Sequence, residues 1–302
     1  MLRQAENKVK IEGILSEINL EYKSYTKNDV KVDAIGGSVK IRTTQKINNK
    51  DVELEIPVHM FSGKLTNSGK SNPAYESIER VMKDYKSIAA VGEAEADRVR
   101  ITNGQITMNE FYPPNSDKLI SQPRISASFM TKVKPTEYKP EATFSAELVV
   151  GSKTPEIGRD GEETGRISIK AIIPQYGGRV DVVPMFSSNE NVANALSEYW
   201  EDGSTVKAVG RLNFSQTTKT ETIESGFGEP EEKTTTVNIS ELLITGGSTD
   251  PLTGEFEYDA NEISEALAER KTRLEQEKAK AASKTKTKAT PAATASGFNL
   301  GF

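Results

Sequence analysis

Few residues in this chain have the type and spacing that catalysis requires. The 302 residues include one histidine, His59, and no cysteine, so neither a histidine-rich metal site nor a thiolate nucleophile can be built. The motif Gly69-Lys70-Ser71 lacks the upstream glycine spacing of a phosphate-binding loop and is interpreted as a turn. The acidic runs show no spacing that singles out a metal pair. The sequence therefore favours a protein that is not an enzyme and that needs no cofactor or metal.

Aromatic and basic side chains on strands are better candidates for a site, because they can bind a ligand without reacting with it. Residues 52–61 alternate so that Val58 and Met60 face a core and Phe61 faces outward. Phe186 follows Met185 in the same way. The sequence leaves open whether five further aromatic residues are exposed or packed: Tyr22, Tyr25, Tyr112, Tyr176 and Phe214. Basic residues that could accompany them are Lys10, Lys40, Arg42, Lys46, Lys64, Lys170, Arg179, Lys207 and Arg211.

These residues recur because one supersecondary unit occurs twice. Residues 165–214 contain two β-type runs separated by Gly177-Gly178, a helix-type segment and a third β-type run, and residues 39–101 are a weaker copy. The full order is strand, strand, strand, helix, strand, strand, which is the order of an OB-fold. We therefore predict an all-β chain of two tandem OB-fold barrels, each with a helix between strands 3 and 4.

Alternation and turn residues set the predicted strand bounds. For the first barrel they are 9–19, 39–44, 52–61, 88–101 and 105–112. For the second they are 142–150, 166–173, 179–186, 205–214 and 234–244. The helices begin near Pro73 and after Ser188 or Asn189, which are favourable first-turn and N-cap residues. Helical spacing marks the side chains expected to plug the barrels: Tyr75, Ile78, Met82, Tyr85, Val192, Leu196 and Tyr199.

The predicted domain organisation has five parts. They are a first OB-fold (1–112), a linker (113–140), a second OB-fold (141–246) with a long insertion (215–233), a C-terminal helical segment (247–282) and a disordered tail (283–302). Within the linker, residues 125–133 could add a short strand, and we interpret the insertion as a hairpin or a mobile loop. The tail ends in an apolar tip, Phe298, Leu300 and Phe302, which either docks into a pocket on another protein or is a chance ending.

Composition limits the class of protein and its partners. A net charge of −5 argues mildly against nucleic acid as a partner, but many acidic residues cluster in predicted loops, so a locally basic groove is compatible with it. No apolar run approaches the roughly 20 residues that span a bilayer, and the N-terminus lacks the apolar core of a signal peptide. We expect a cytoplasmic protein with no membrane partner.

The second unit resembles the core of bacterial and phage single-stranded DNA-binding proteins. The resemblance rests on Met185-Phe186 at the end of a β run, a short helix, Gly203, and the run Val206-Lys207-Ala208-Val209-Gly210-Arg211-Leu212. It is strong over about fifty residues and weaker in the first unit. It implies sequence-independent binding of single-stranded DNA in replication or recombination. It also implies that Phe186, and by the repeat Phe61, stacks on a base. The full set of predicted DNA-binding residues, in which the cations contact phosphates, is Phe61, Phe186, Phe214, Tyr176, Tyr22, Lys40, Arg42, Lys64, Lys170, Arg179 and Arg211. With this resemblance, the partner expected for the apolar tip is a replication or recombination protein.

The sequence also departs from that family. The tryptophan that the family carries near the start of strand 3 is replaced by Val180 and Glu55, and Trp200 at the helix end is expected to be a packing residue. The acidic C-terminal tip of the family is replaced by apolar residues behind a basic tail. We therefore keep the alternative that the barrels are scaffolds for protein interaction or assembly and bind no nucleic acid.

Overall fold

The computed structural model of the chain describes residues 2–27, 30–47, 50–114, 116–158, 161–223 and 231–286. Within these ranges the chain is mainly β-structure, and its strands form one continuous eleven-stranded sheet. The insertion tip (224–230) and residues 287–302, including Phe298, Leu300 and Phe302, lie outside the described residues, whereas residues 283–286 of the predicted tail continue the last helix.

The first module is a closed ring of strands. Strand 1 pairs with strands 2 and 4, strand 3 pairs in parallel with strand 5, and strand 5 pairs with strand 4. This is the order 1-2-3-5-4-1 of an OB-fold. Its elements are β1 (Asn7–Lys27), β2 (Val30–Ile47), β3 (Lys50–Gly63), α1 (Pro73–Asp84), α2 (Ile88–Val91), β4 (Arg98–Phe111), β5 (Ile120–Ser126) and the two-residue β6 (Thr131–Lys132).

The second module repeats the ring with the same pairings. The predicted fold class, two tandem OB-folds with a helix between strands 3 and 4 of each, is confirmed by this strand order and by the C-terminal helix. The elements are β7 (Glu141–Ile157), β8 (Glu163–Pro174), β9 (Val180–Ser187), α3 (Glu190–Tyr199), β10 (Thr205–Ile223), β11 (Glu231–Gly247) and α4 (Ala260–Lys286). Short 3-10 turns lie at Pro135–Glu137 and Gly254–Phe256.

The last two strands of the first module differ from the prediction. Residues 88–91 form the helical turn α2, because Ile88 and Val91 have helical and not alternating spacing, and Gly92 ends the turn at φ +82°. Residues 98–111 form one strand, since the turn-like Thr102-Asn103-Gly104 is a β-bulge against β1. The strand that closes the ring, β5, lies in the segment 113–140 that the sequence predicted to be a linker.

Both barrel helices begin where the sequence predicted. The Asn72 side chain accepts a hydrogen bond from the N–H of Ala74, and the Asn189 side chain accepts one from Val192. Ile78 and Leu196 are buried below their helices, whereas Tyr199 is exposed and does not plug the second barrel. Its position at the last residue of α3 turns the ring away from the core.

A shared sheet and a helix hold the two modules together. The first strands of the modules pair with each other, Asn7–Glu12 of β1 antiparallel to Glu141–Ala146 of β7. Helix α4 is N-capped by Asp259, and it packs on β4 of the first module and β9 of the second. Strands β10 and β11 pair as far as Ile223 and Glu231, so the described flanks of the insertion form an antiparallel pair of strands.

Candidate nucleic-acid interface

An exposed aromatic pair lies on the outer face of the first barrel. Met60 is fully buried and Phe61 is 47% exposed, which is the orientation that the alternation predicts. The Phe61 ring lies over Gly36, its cross-strand neighbour on β2. A Cβ at Gly36 would approach Phe61 Cδ2 to 2.6 Å, so the absence of a side chain there makes room for the ring. The ring centroid of Tyr25 lies 5.9 Å away at an interplanar angle of 52°.

Cations flank this aromatic pair. Burial lowers the pKa of His59, and the nearby positive charges of Arg124 and Lys23 lower it further, so the imidazole next to Phe61 on the same face is neutral at pH 7. Arg124 lies on β5, and its buried Nε has no hydrogen-bond partner among the described residues. A planar, negatively charged ligand could therefore stack on these rings and pair with the cations beside them.

The corresponding ring of the second barrel is covered. Phe186 is half-buried, and the guanidinium carbon of Arg166 lies 5.5 Å from its ring centroid. Arg166 is held in place by Glu156 at 2.6 Å and by Glu241 at 3.3 Å. The Glu156 hydrogen bond is the main cause of the raised pKa of Arg166. Lys170 is exposed on the same outer face of β8. A base could stack here only on the guanidinium plane, or after Arg166 had moved.

Two of the predicted phosphate-binding cations are already paired with carboxylates. Lys40 Nζ lies 2.7 Å from Glu17, and this hydrogen bond raises the pKa of Lys40. Arg42 lies 3.5 Å from Glu93, and it is also near Glu53 at 3.7 Å. These pairs are partly exposed, so each contributes little to stability, but they reduce the positive charge on this part of β2.

Three other predicted site residues lie apart from the aromatic pair. Phe214 is only 4% exposed, so its ring is part of the core and the prediction that it binds DNA is corrected. Tyr22 lies three residues from Tyr25 on a strand and therefore on the opposite face, where its hydroxyl donates to Glu79 of α1. Lys64 is exposed directly after β3.

Tyr176 and Arg179 lie in a cleft between the modules. They flank the turn between β8 and β9, where Gly177 and Gly178 both have positive φ, a conformation that glycine adopts without steric cost. Tyr176 is 78% exposed. The cleft has a volume of about 450 Å³, and Arg124 lines its other side. Carboxylates line it as well, namely Glu110, Asp181 and Glu277, so its charge is balanced.

Arg211 lies in a second groove between the modules. Its Nη1 donates to the main-chain carbonyl of Lys46 at the tip of the β2–β3 hairpin, at 2.5 Å. Arg211 of β10 lies opposite Leu243 of β11, which lies opposite Phe186 of β9, so Arg211 is two strands away from Phe186. The structure therefore places the predicted residues on several surfaces and brings together only subsets of them.

Several residues of this interface carry little signal in the sequence. Tyr25 was left open between exposure and packing, and Arg124 and Arg166 were not predicted as site residues. Alternation shows that a residue faces outward only if a side chain two positions away on the same strand is known to do so. The neighbours of these residues in the interface come from other strands, so alternation could not identify them. In the described part of the chain, no group of three or more potential ligand residues could hold a metal ion. No helix there is long and apolar enough to cross a membrane.

The strand order and the exposed aromatic pair define a protein of two tandem OB-fold modules with a candidate binding face. The chain belongs to the YorF family, whose model matches residues 5–280. No curated protein matches the chain.

Two solved structures of the single-stranded DNA binding protein from Thermus aquaticus are similar to this chain. The wild-type protein matches with a TM-score of 0.49 and 10% identity, over 83% of this chain and 96% of that one. A deletion mutant matches with a TM-score of 0.47 and 11% identity, over 83% and 97%. Likenesses this distant carry no argument about function, which is argued below from the geometry of this chain.

Proposed function

We propose that this protein binds single-stranded DNA without sequence preference, in DNA replication or recombination. The observation that carries the proposal is the exposed ring of Phe61, which is supported by Gly36 and Tyr25 on the outer face of an OB-fold ring. Unpaired bases expose their faces, so an aromatic ring of this kind can stack on any of them.

The first module is the stronger stacking site in this proposal. One stacked base contributes about 1–3 kcal/mol, and Phe61 is free to provide it, whereas Phe186 lies under Arg166. Arg124 and Lys23 lie beside the first site and would contact phosphates or stack on a base edge. The second module would contribute mainly through cations such as Lys170.

Titration of fluorescently labelled oligo(dT) with the protein, followed by anisotropy, tests the proposal. We expect Phe61→Ala to weaken binding roughly 5- to 150-fold, which corresponds to the loss of one stacked base. Phe186→Ala should weaken it less. Tyr199→Ala, which removes an exposed aromatic ring from α3, is the matched control and should have no effect.

Each variant should keep a cooperative thermal transition, since Phe61 is half-exposed. No binding of oligo(dT) by the wild-type protein at low salt would refute the proposal. So would equal affinity for a duplex of the same length, because paired bases do not expose their faces.

A second candidate function is a scaffold for protein assembly. It is favoured by the net charge of −5 and by the carboxylates that neutralise Lys40 and Arg42. Either function is compatible with a docking role for the tip of the tail, which consists of Phe298, Leu300 and Phe302. Failure to bind oligo(dT), together with specific capture of a replication or recombination protein that is lost on deletion of residues 297–302, would favour the scaffold.

A further inference from the structure

A groove runs across the junction of the two modules, away from the aromatic pair. It consists of two adjoining cavities of about 650 and 510 Å³, which share Arg211 and Thr245. One cavity extends to the tip of the β2–β3 hairpin at Lys46, and the other extends to Lys8 and Lys10 on β1. Both modules therefore contribute cations to one continuous depression.

The cations of this groove are not neutralised as Lys40 and Arg42 are. Among the residues that the structure describes, Lys10 and Lys46 have no ion-pair partner, and Arg211 donates to a main-chain carbonyl. Of the described residues that line the two cavities, only Glu6 carries a carboxylate. It is already bound by Lys207 at 2.8 Å and by Lys8 at 3.3 Å, and the hydrogen bond from Lys207 is the main cause of its lowered pKa.

Strand register aligns the cations. Lys10 of β1 lies opposite Thr143 of β7, and Thr143 lies opposite Arg211 of β10. Neighbouring strands are about 4.8 Å apart, so the Cα atoms of Lys10 and Arg211 are about 10 Å apart. The hydroxyls of Thr143 and Thr245 lie between or beside these cations and can donate to phosphate oxygens.

Among the described residues that line the groove, none offers an exposed ring on which a base could stack. Phe144 lines it, but this side chain is only 3% exposed and belongs to the core. A lining of cations and hydroxyls without an exposed aromatic ring recognises phosphate groups and is indifferent to bases.

We propose that the groove of Lys10, Lys46 and Arg211 binds the phosphodiester backbone of a nucleic-acid strand where it passes from one module to the other. The identity of the strand rests on the proposed function. The chemistry of the site does not, because it requires only regularly spaced phosphates.

The test uses two labelled probes of equal length, oligo(dT) and an abasic deoxyribose-phosphate oligomer. The variant is the triple substitution Lys10→Gln, Lys46→Gln and Arg211→Gln, and the matched control is Lys40→Gln with Arg42→Gln. Affinities are measured by anisotropy between 50 and 200 mM NaCl. A second variant, Arg211→Lys, keeps the charge and separates electrostatics from the hydrogen bond to the Lys46 carbonyl.

Removal of three phosphate contacts should reduce the slope of log K against log salt by about 2, since each contact to a single strand contributes roughly 0.7. Between the two salt concentrations, the fold-change in affinity of the triple variant should then be roughly 20 times smaller than the fold-change of the wild type. Binding of the abasic probe should be lost. The control pair should change the slope less, and Arg211→Lys should keep it.

The two proposals fail in different ways. If oligo(dT) binds and depends on Phe61, but the triple variant keeps the wild-type slope, then the groove proposal is overturned and the stacking function stands. If the abasic probe binds as tightly as oligo(dT) and depends on the groove, then the groove is supported and stacking is refuted. Binding of neither probe overturns both. Thermal melting of the triple variant verifies that the fold is intact.

Discussion

Substitution of Gly36 by alanine should disturb the stacking site without removing any aromatic or charged group. The new Cβ would lie 2.6 Å from Phe61 Cδ2 and 3.2 Å from the carbonyl oxygen of Met60. Carbon atoms in contact are ordinarily about 3.5–4.0 Å apart, so the Phe61 ring must move outward by about 1 Å. The position of the strand changes little, because the carbonyl contact is tight but not impossible.

The expected effects follow from these distances. Overpacking of this kind costs about 1–3 kcal/mol of folding free energy, and the exposed ring should keep the cost near the lower end. If the shifted ring loses about half of a stacking energy of 1–3 kcal/mol, then oligo(dT) binding weakens roughly 2- to 12-fold.

A double-mutant cycle with Phe61→Ala measures whether the effect passes through the ring. We compare the affinities for oligo(dT) and the urea unfolding free energies of the wild type, the two single variants and the double variant. In the Phe61→Ala background, Gly36→Ala should leave affinity unchanged and should cost less stability than it does in the wild type. A loss of affinity that is equally large in both backgrounds would refute the argument, because Gly36 would then act independently of the ring.

Two further predictions concern the stability of the second module. Trp200 is 1% exposed and its Nε1–H donates to the carbonyl of Ser248 at 2.9 Å, so Trp200→Phe should destabilise the protein by about 1–3 kcal/mol in urea unfolding, and an unchanged midpoint would contradict this. Burial alone would raise the pKa of Glu147, but hydrogen bonds from Arg3 and the main chain hold it below its ordinary value of 4.5. A lowered folded-state pKa means that this carboxylate stabilises the fold above pH 4.5 and that the contribution is lost as the pH falls through the folded value. Thermal melting should therefore show Glu147→Gln less stable than wild type at pH 7, with the difference shrinking under acid conditions; a difference that is constant with pH would refute the assignment.

The sequence by itself determined most of the elements and their order, although it missed α2 and assigned the segment of β5 to a linker. Period-2 alternation, helical spacing and the capping residues Asn72 and Asn189 are local properties, and each was sufficient to predict a strand, a helix or its start. Because the unit occurs twice, the same prediction applies to a second module. Alternation also set the outward orientation of Phe61, because Met60 on one face forces its neighbour onto the other. The burial of Trp200 agrees with its predicted packing role.

Tertiary structure decided which cations and rings are available to a ligand. The carboxylates that pair with Lys40 and Arg42 come from β1, β3 and the segment after α2, and no local pattern relates them. Phe214 is buried by the packing of the second barrel, although its strand position resembles that of an exposed ring. The groove forms only because β1 and β7 pair across the modules and bring Lys10 next to a strand from the far end of the chain. These outcomes depend on which surfaces meet in space, and that information is distributed over residues far apart in the sequence.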